Sequence, residues 1–206
     1  MDIEYKGGNC VVINTKQVTI VVDPKLSALG LKDIANKDDV VVATQADFAV
    51  HTDEVAVDQP GEYEVKGVSI TGVGAQRNID AVGKLATMYR IANGDFTIAV
   101  VGHVATPLSE EQLETLGVVD VAVVPVGGNG YTLDAHQAVG LVRQLDPKIV
   151  IPVHYADKTI KYEVPQMELE PFVKELGAPI EQTAKLKLKV GVLPETLTIY
   201  ELQRTS

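Results

Sequence analysis

The 206-residue chain is poor in residues that build covalent or metal crosslinks, with a single cysteine and four histidines. One cysteine excludes an internal disulfide and any zinc site made from a cysteine cluster. Cys10 lies in the strand-like run CVVIN and reads as a buried structural thiol. Long apolar runs are also absent, and nothing approaches the roughly 18 residues a membrane span needs. Positive charge is scarce. Eighteen Lys and Arg stand against 28 Asp and Glu, a net charge of −10. That balance argues against nucleic acid or an anionic membrane as partner, since both need clustered basic side chains. No serine nucleophile elbow, Cys–His pair or CxxC occurs. Gly7-Gly8 and Gly72/Gly74 lack the strand-to-helix setting of a phosphate loop and read as turns. The start, MDIEYKGGNC, has no basic segment leading into an apolar core, so no secretory signal is expected. These exclusions predict a soluble, cytoplasmic protein with one domain over residues 1–206 and a substantial core.

What the chain does contain is two patterns in succession. The first ~100 residues alternate short β-branched runs with Gly, Asn and Lys turns. IEY, CVVIN, VTIVVDP, GEYEV, GVSITGV, LATMYRIA and FTIAVV are the predicted strands. Asn93-Gly94 joins the last two as a hairpin signal. The second half alternates helices with buried strands. Ser109 and Gln112 form a capping box for SEEQLETLG, closed by Gly117. Thr132 is the expected cap of TLDAHQAVGLVRQL, whose Ala138, Leu141, Val142 and Leu145 form an apolar stripe that Pro147 ends. VVDVAVVPV and KIVIPVHY are buried strands, ELEPFVKELG is a last helix, and alternating strands close the chain. Two sheets sandwiched between helices follow from this order.

The run VVVATQADFAVH, residues 40–51, is a buried strand ending at Thr44 and a polar loop. Downstream come PVGGNGYTLDAHQA (125–138), PKIVIPVHY (147–155), IVVDPK (20–25) and GEYEVKGVSITGV. In this order they resemble the small metal-dependent hydrolase branch of the metallo-β-lactamase superfamily, over about residues 2–200. The resemblance implies an α/β, four-layer αβ/βα sandwich. It also implies metal-assisted hydrolysis by one or two zinc-like ions that activate a bound water.

Carried over residue by residue, the family's ligand positions are mostly altered. Its His-x-His-x-Asp-His loop falls on Gln45, Asp47, Ala49 and Val50. The next histidine falls near Arg77, whose fixed charge repels a cation. The bridging aspartate falls on His103. His154 keeps the last histidine, and Asp23 keeps a carboxylate that orients a ligand. Asp23, Gln45, Asp47, Arg77, His103 and His154 are therefore the candidate positions. His51 and His136 read as surface histidines.

A two-metal hydrolase needs about seven well-placed ligands, so the resemblance points to a divergent, non-catalytic homologue without a cofactor. Its expected partner is a small molecule or a protein, and self-association into a homo-oligomer is in keeping with related small hydrolases. The alternative is a hydrolase with a remodelled site, in which Asp47, His103 and His154 bind one zinc or another divalent metal, helped by Gln45 or Asp23. A third reading uses His103 and His154 as a metal-free acid and base.

Overall fold

Residues 1–78 and 85–205 are described by a computed structural model of the chain. The β-branched runs form two sheets that face each other. One contains β1 (Asp2–Gly7), β2 (Cys10–Asn14), β3 (Thr19–Val22), β4 (Val40–Val42), β5 (Ala56–Val57) and β13 (Leu186–Lys187), in the order β13-β1-β2-β3-β4-β5. The other contains β6 (Gly61–Val65), β7 (Val68–Gln76), β8 (Leu85–Ala92), β9 (Thr97–Val100), β10 (Val121–Pro125), β11 (Ile149–Val153), β12 (Ile180–Thr183) and β14 (Thr198–Leu202). Its order is β12-β14-β11-β10-β9-β8-β7-β6.

The period of two in each strand assigns its side chains to layers. Val11, Ile13, Ile20, Val22, Val40 and Val42 from the first sheet meet Val121, Val123, Ile149 and Ile151 from the second. On the far side of the second sheet, Ala122, Val124 and Val150 pack under α1 (Glu110–Leu116), α2 (Ala135–Leu145) and α3 (Glu170–Leu176). The far side of the first sheet is covered more thinly. There Cys10, Val12 and Val21 pack with Leu26, Leu29, Leu31 and Ile34, around a single 3₁₀ turn (Ser27–Leu29). The fold is the expected αβ/βα sandwich, with its helical weight on one side among the described residues.

Local signals behave unevenly. Ser109 and Gln112 form the reciprocal capping box, Gly117 caps the helix end, and the stripe on α2 is buried. Thr132, by contrast, does not cap α2. Asp134 does, because Gln137 three residues on returns the hydrogen bond. The two-residue hairpin turn falls at Lys66-Gly67, both at positive φ, between Val65 and Val68. Asn93-Gly94 instead belongs to a four-residue connection, in which Asn93 Oδ1 accepts from the N–H groups of Asp95 and Phe96. The short strands β5 and β12 carry no clear periodic signal; β12 is largely exposed. Among the described residues no helix is long and apolar enough to cross a membrane.

Candidate functional site

The candidate side chains converge because each follows the carboxyl end of a strand, or a turn beside one. Asp23 follows β3, Thr44 and Gln45 follow β4, His103 lies just beyond β9 and His154 follows β11. Asn9 sits in the β1–β2 turn, whose Gly8 carbonyl accepts from the His154 backbone N–H at 2.9 Å. Two of these residues hold left-handed backbone without being glycine, Asp23 at φ 47 and His154 at φ 53. Such positions cost roughly 1–3 kcal/mol and gather where the surroundings dictate side-chain direction. Gly102 and Gly127 permit the close packing nearby. A Cβ on Gly102 would crowd Thr44, and one on Gly127 would run into the His154 carbonyl and the Gln166 side chain.

Asp23, buried, holds the strand end together. Its Oδ1 accepts from the Thr44 backbone N–H and its Oδ2 from the Thr44 hydroxyl, both at 2.7 Å. Burial still outweighs these donors and pushes its carboxyl up to about 7. The Asn9 amide also donates toward Asp23, which directs the Asn9 nitrogen to that side.

His103 is fixed at both ring nitrogens. Asn9 Nδ2 lies 3.1 Å from Nε2, and the Gln45 side-chain amide lies 2.9 Å from Nδ1. A neutral imidazole has one N–H and one lone pair. With the Asn9 nitrogen donating to Nε2, the Gln45 amide, placed with its Nε2 toward the ring, must be turned so that its oxygen accepts the Nδ1 proton. Burial, then His154 and the Arg77 charge, hold His103 well below the ordinary histidine range.

His154 is fixed at one nitrogen. Gln166 gives its NH₂ to the Val164 carbonyl, so its Oε1 is the acceptor facing Thr132 Oγ1 at 3.1 Å and His154 Nδ1 at 3.2 Å. His154 therefore carries its proton on Nδ1 and leaves Nε2 as a lone pair, with no protein partner among the described residues. Burial lowers its pKa to about 4, so it is neutral at pH 7.

The two imidazoles meet edge to face with centroids 4.8 Å apart. Tyr131 lies 4.7 Å from His103, Tyr162 4.8 Å from His154 and Phe48 5.7 Å from His103. These rings, with Asn9, Asp23, Gln166, Leu26 and Leu29, line a cavity of about 180 Å³ with Lys25 and Glu163 at its edge.

Of the sequence-derived positions, Asp23, His103 and His154 line the cavity, and Gln45 reaches it through His103. Asp47 lies on an exposed 3₁₀ turn and does not. Arg77 is half-buried and bridges Val104 beside His103. His51 is exposed, and His136 lies on the surface against Glu175 at 2.8 Å. Sequence reading overlooked Asn9, Phe48, Tyr131, Tyr162 and Gln166. Tyr131 lay inside the PVGGNGYTLDAHQA motif and Asn9 followed the double glycine, whereas nothing in the sequence marked Gln166.

A profile of the β-lactamase superfamily domain matches residues 2–154. The chain belongs to the metallo-β-lactamase superfamily. Among its relatives is a UPF0173 metal-dependent hydrolase of Hyperthermus butylicus, 30% identical over 122 residues, 58% of this chain. The match spans only 44% of that protein's length. Another, from Nanoarchaeum equitans, is 28% identical over 186 residues, covering 75% of this chain and 84% of the relative. A crystal structure from Thermotoga maritima, assigned to the zinc-dependent hydrolases of the superfamily, superposes with a TM-score of 0.77. It is 25% identical and is covered along its whole length, against 98% of this chain. Igni18, a metallo hydrolase of Ignicoccus hospitalis, shares the fold at a TM-score of 0.59 and 19% identity, over 85% of this chain and 90% of its own.

Among the described residues no three His, Cys, Asp or Glu side chains are grouped to hold a metal ion. Both His103 nitrogens are engaged by amides, and each Asp23 oxygen is held by Thr44.

Proposed function

We propose that this protein is a ligand-binding, non-hydrolytic member of its superfamily, whose pocket works without a dinuclear metal centre. The observation that carries the reading is the clamping of His103. Where the family places a bridging carboxylate, this chain places a neutral ring whose two nitrogens are taken by the Asn9 and Gln45 amides. Coordination there would require breaking a buried hydrogen bond and leaving an amide unpaired, at about 1–3 kcal/mol. Arg77 adds a fixed positive charge on the same side. What remains is a small aromatic-walled pocket with neutral histidines, suited to holding a molecule rather than polarising a water. The partner in this reading is a small molecule or a protein docked at the same mouth. A cytoplasmic setting and self-association belong to the same proposal.

The relatives' names keep a divalent metal in view as the competing outcome, with His154 Nε2 its best donor. Untagged protein is offered zinc, manganese and iron in turn, and bound metal is quantified for wild type and His154→Ala. The expected result is well under one ion per chain in both proteins. Near-stoichiometric metal in wild type that disappears in His154→Ala would overturn the proposal.

A further inference from the structure

The cavity's polar atoms are unevenly matched, and the mismatch describes a ligand. Two acceptors in and beside it have no protein donor among the described residues, and one of them is open to the cavity. One is His154 Nε2, left bare because Gln166 fixes the proton on Nδ1. The other is Asn9 Oδ1, fully buried and without a hydrogen-bond partner. Asn9 cannot turn to hide it, because its nitrogen already serves His103 and Asp23. The oxygen is sealed in the wall, so His154 Nε2 is the acceptor the cavity presents, and a donor supplied from outside is its natural complement. The walls add shape. Tyr131 and Tyr162 present rings, and Leu26, Leu29 and Phe48 present apolar surface. The lining side chains of opposite charge, Lys25 and Glu163, are both exposed at the edge, and Asp23 is committed to Thr44.

We propose that this cavity takes a small, uncharged aromatic or heteroaromatic ring bearing an N–H or O–H donor, directed at His154 Nε2. The proposal rests on the metal-independent reading above and narrows it to a ligand class. The 180 Å³ volume admits one substituted ring and little more. Aromatic faces stack on it, and His154 Nε2 orients its donor edge.

The test uses the full chain treated with EDTA. Phenol and 2-aminopyrimidine are the donor-bearing probes, and anisole and 2-dimethylaminopyrimidine are their donor-free counterparts. Benzoate and benzyltrimethylammonium are the anionic and cationic controls. Binding is read by saturation-transfer NMR and calorimetry. Donor-bearing probes are expected to bind at least about tenfold more tightly than their methylated counterparts, the effect of one well-made buried hydrogen bond. His154→Phe should erase that preference. Leu29→Trp, on a half-buried turn at the cavity wall, should abolish binding while leaving the circular dichroism spectrum and Tm in place. Equal binding of methylated probes, a preference for either charged control, or no binding to the EDTA-treated chain overturns the ligand assignment. Binding that appears only after zinc is restored, with metal at one ion per chain, overturns the metal-independent reading beneath it.

Discussion

His103 and His154 sit with their rings 4.8 Å apart, yet their surroundings assign them different work. His103 is held at both nitrogens by side chains from the β1–β2 turn and the end of β4. His154 is held at one, by Gln166, and keeps a lone pair for whatever enters the cavity. The first ring joins the two sheets, since Asn9 and Gln45 belong to one and His103 follows a strand of the other. The second serves the pocket. Sharing one pocket therefore does not fix a histidine's role; the number of committed nitrogens does.

The sharpest way to break this comparison is to truncate each ring in turn. His103→Ala leaves the Asn9 and Gln45 amides unpaired in a buried space and opens a cavity. We expect a loss of about 3–4 kcal/mol in urea unfolding. His154→Ala disturbs one amide and opens toward an existing cavity, so about 1–2 kcal/mol is expected. Equal losses in the two variants would show that the rings play the same structural part.

Much of this contrast could not be read in the sequence. The strands were legible because β-branched runs with Gly and Asn boundaries are a local signal, and Cys10, Val12 and Val21 behaved as that pattern requires. His103 and His154 were legible as strand-end histidines aligned with a known family. What the sequence does not encode locally is which amide approaches which nitrogen. Asn9 and His103 are 94 residues apart, and Gln45 and His103 are 58 apart. Gln166 lies in an irregular segment with no motif around it. Thr132 shows the converse failure: a good capping residue was outcompeted by Asp134, whose Gln137 completes the reciprocal bond.

Acidification sharpens the comparison next. In the folded protein His154 titrates at about 4 rather than near 6.5, so the unfolded chain binds more protons between those values. Its contribution is complete above pH 6.5 and is lost as pH falls toward 4. At about 1.4 kcal/mol per tenfold change in proton affinity, this amounts to about 3 kcal/mol. His103 acts in the same direction. Asp23 opposes them. Its folded value of about 7 favours the folded state at low pH, and that contribution is lost as pH rises through 7. The His154 and Asp23 effects are comparable in size, so His103 decides the sign. Net stability, followed by chemical denaturation from pH 7 to 4.5, should fall on acidification. A chain that gains stability over that range would place His103 nearer an ordinary, protonatable histidine.

Neutralising Asp23 is the most discriminating change. Asp23→Asn keeps an oxygen to accept from the Thr44 backbone N–H, and its amide nitrogen donates to the Thr44 hydroxyl oxygen in place of the bond Asp23 accepts. Asparagine tolerates the left-handed backbone at φ 47 as readily as aspartate does. Stability at pH 8 should therefore rise, by up to about 3 kcal/mol, since the lost charge was one that burial disfavoured. The slope on the acid side should change too. With the opposing carboxyl gone, the decline between pH 7 and 4.5, led by the two histidines with Glu4 and Asp157 acting in the same direction, should become steeper than in wild type. A slope unchanged by Asp23→Asn would mean that Asp23 is ionised across the whole range, and that its bonds to Thr44 and Asn9 outweigh its burial.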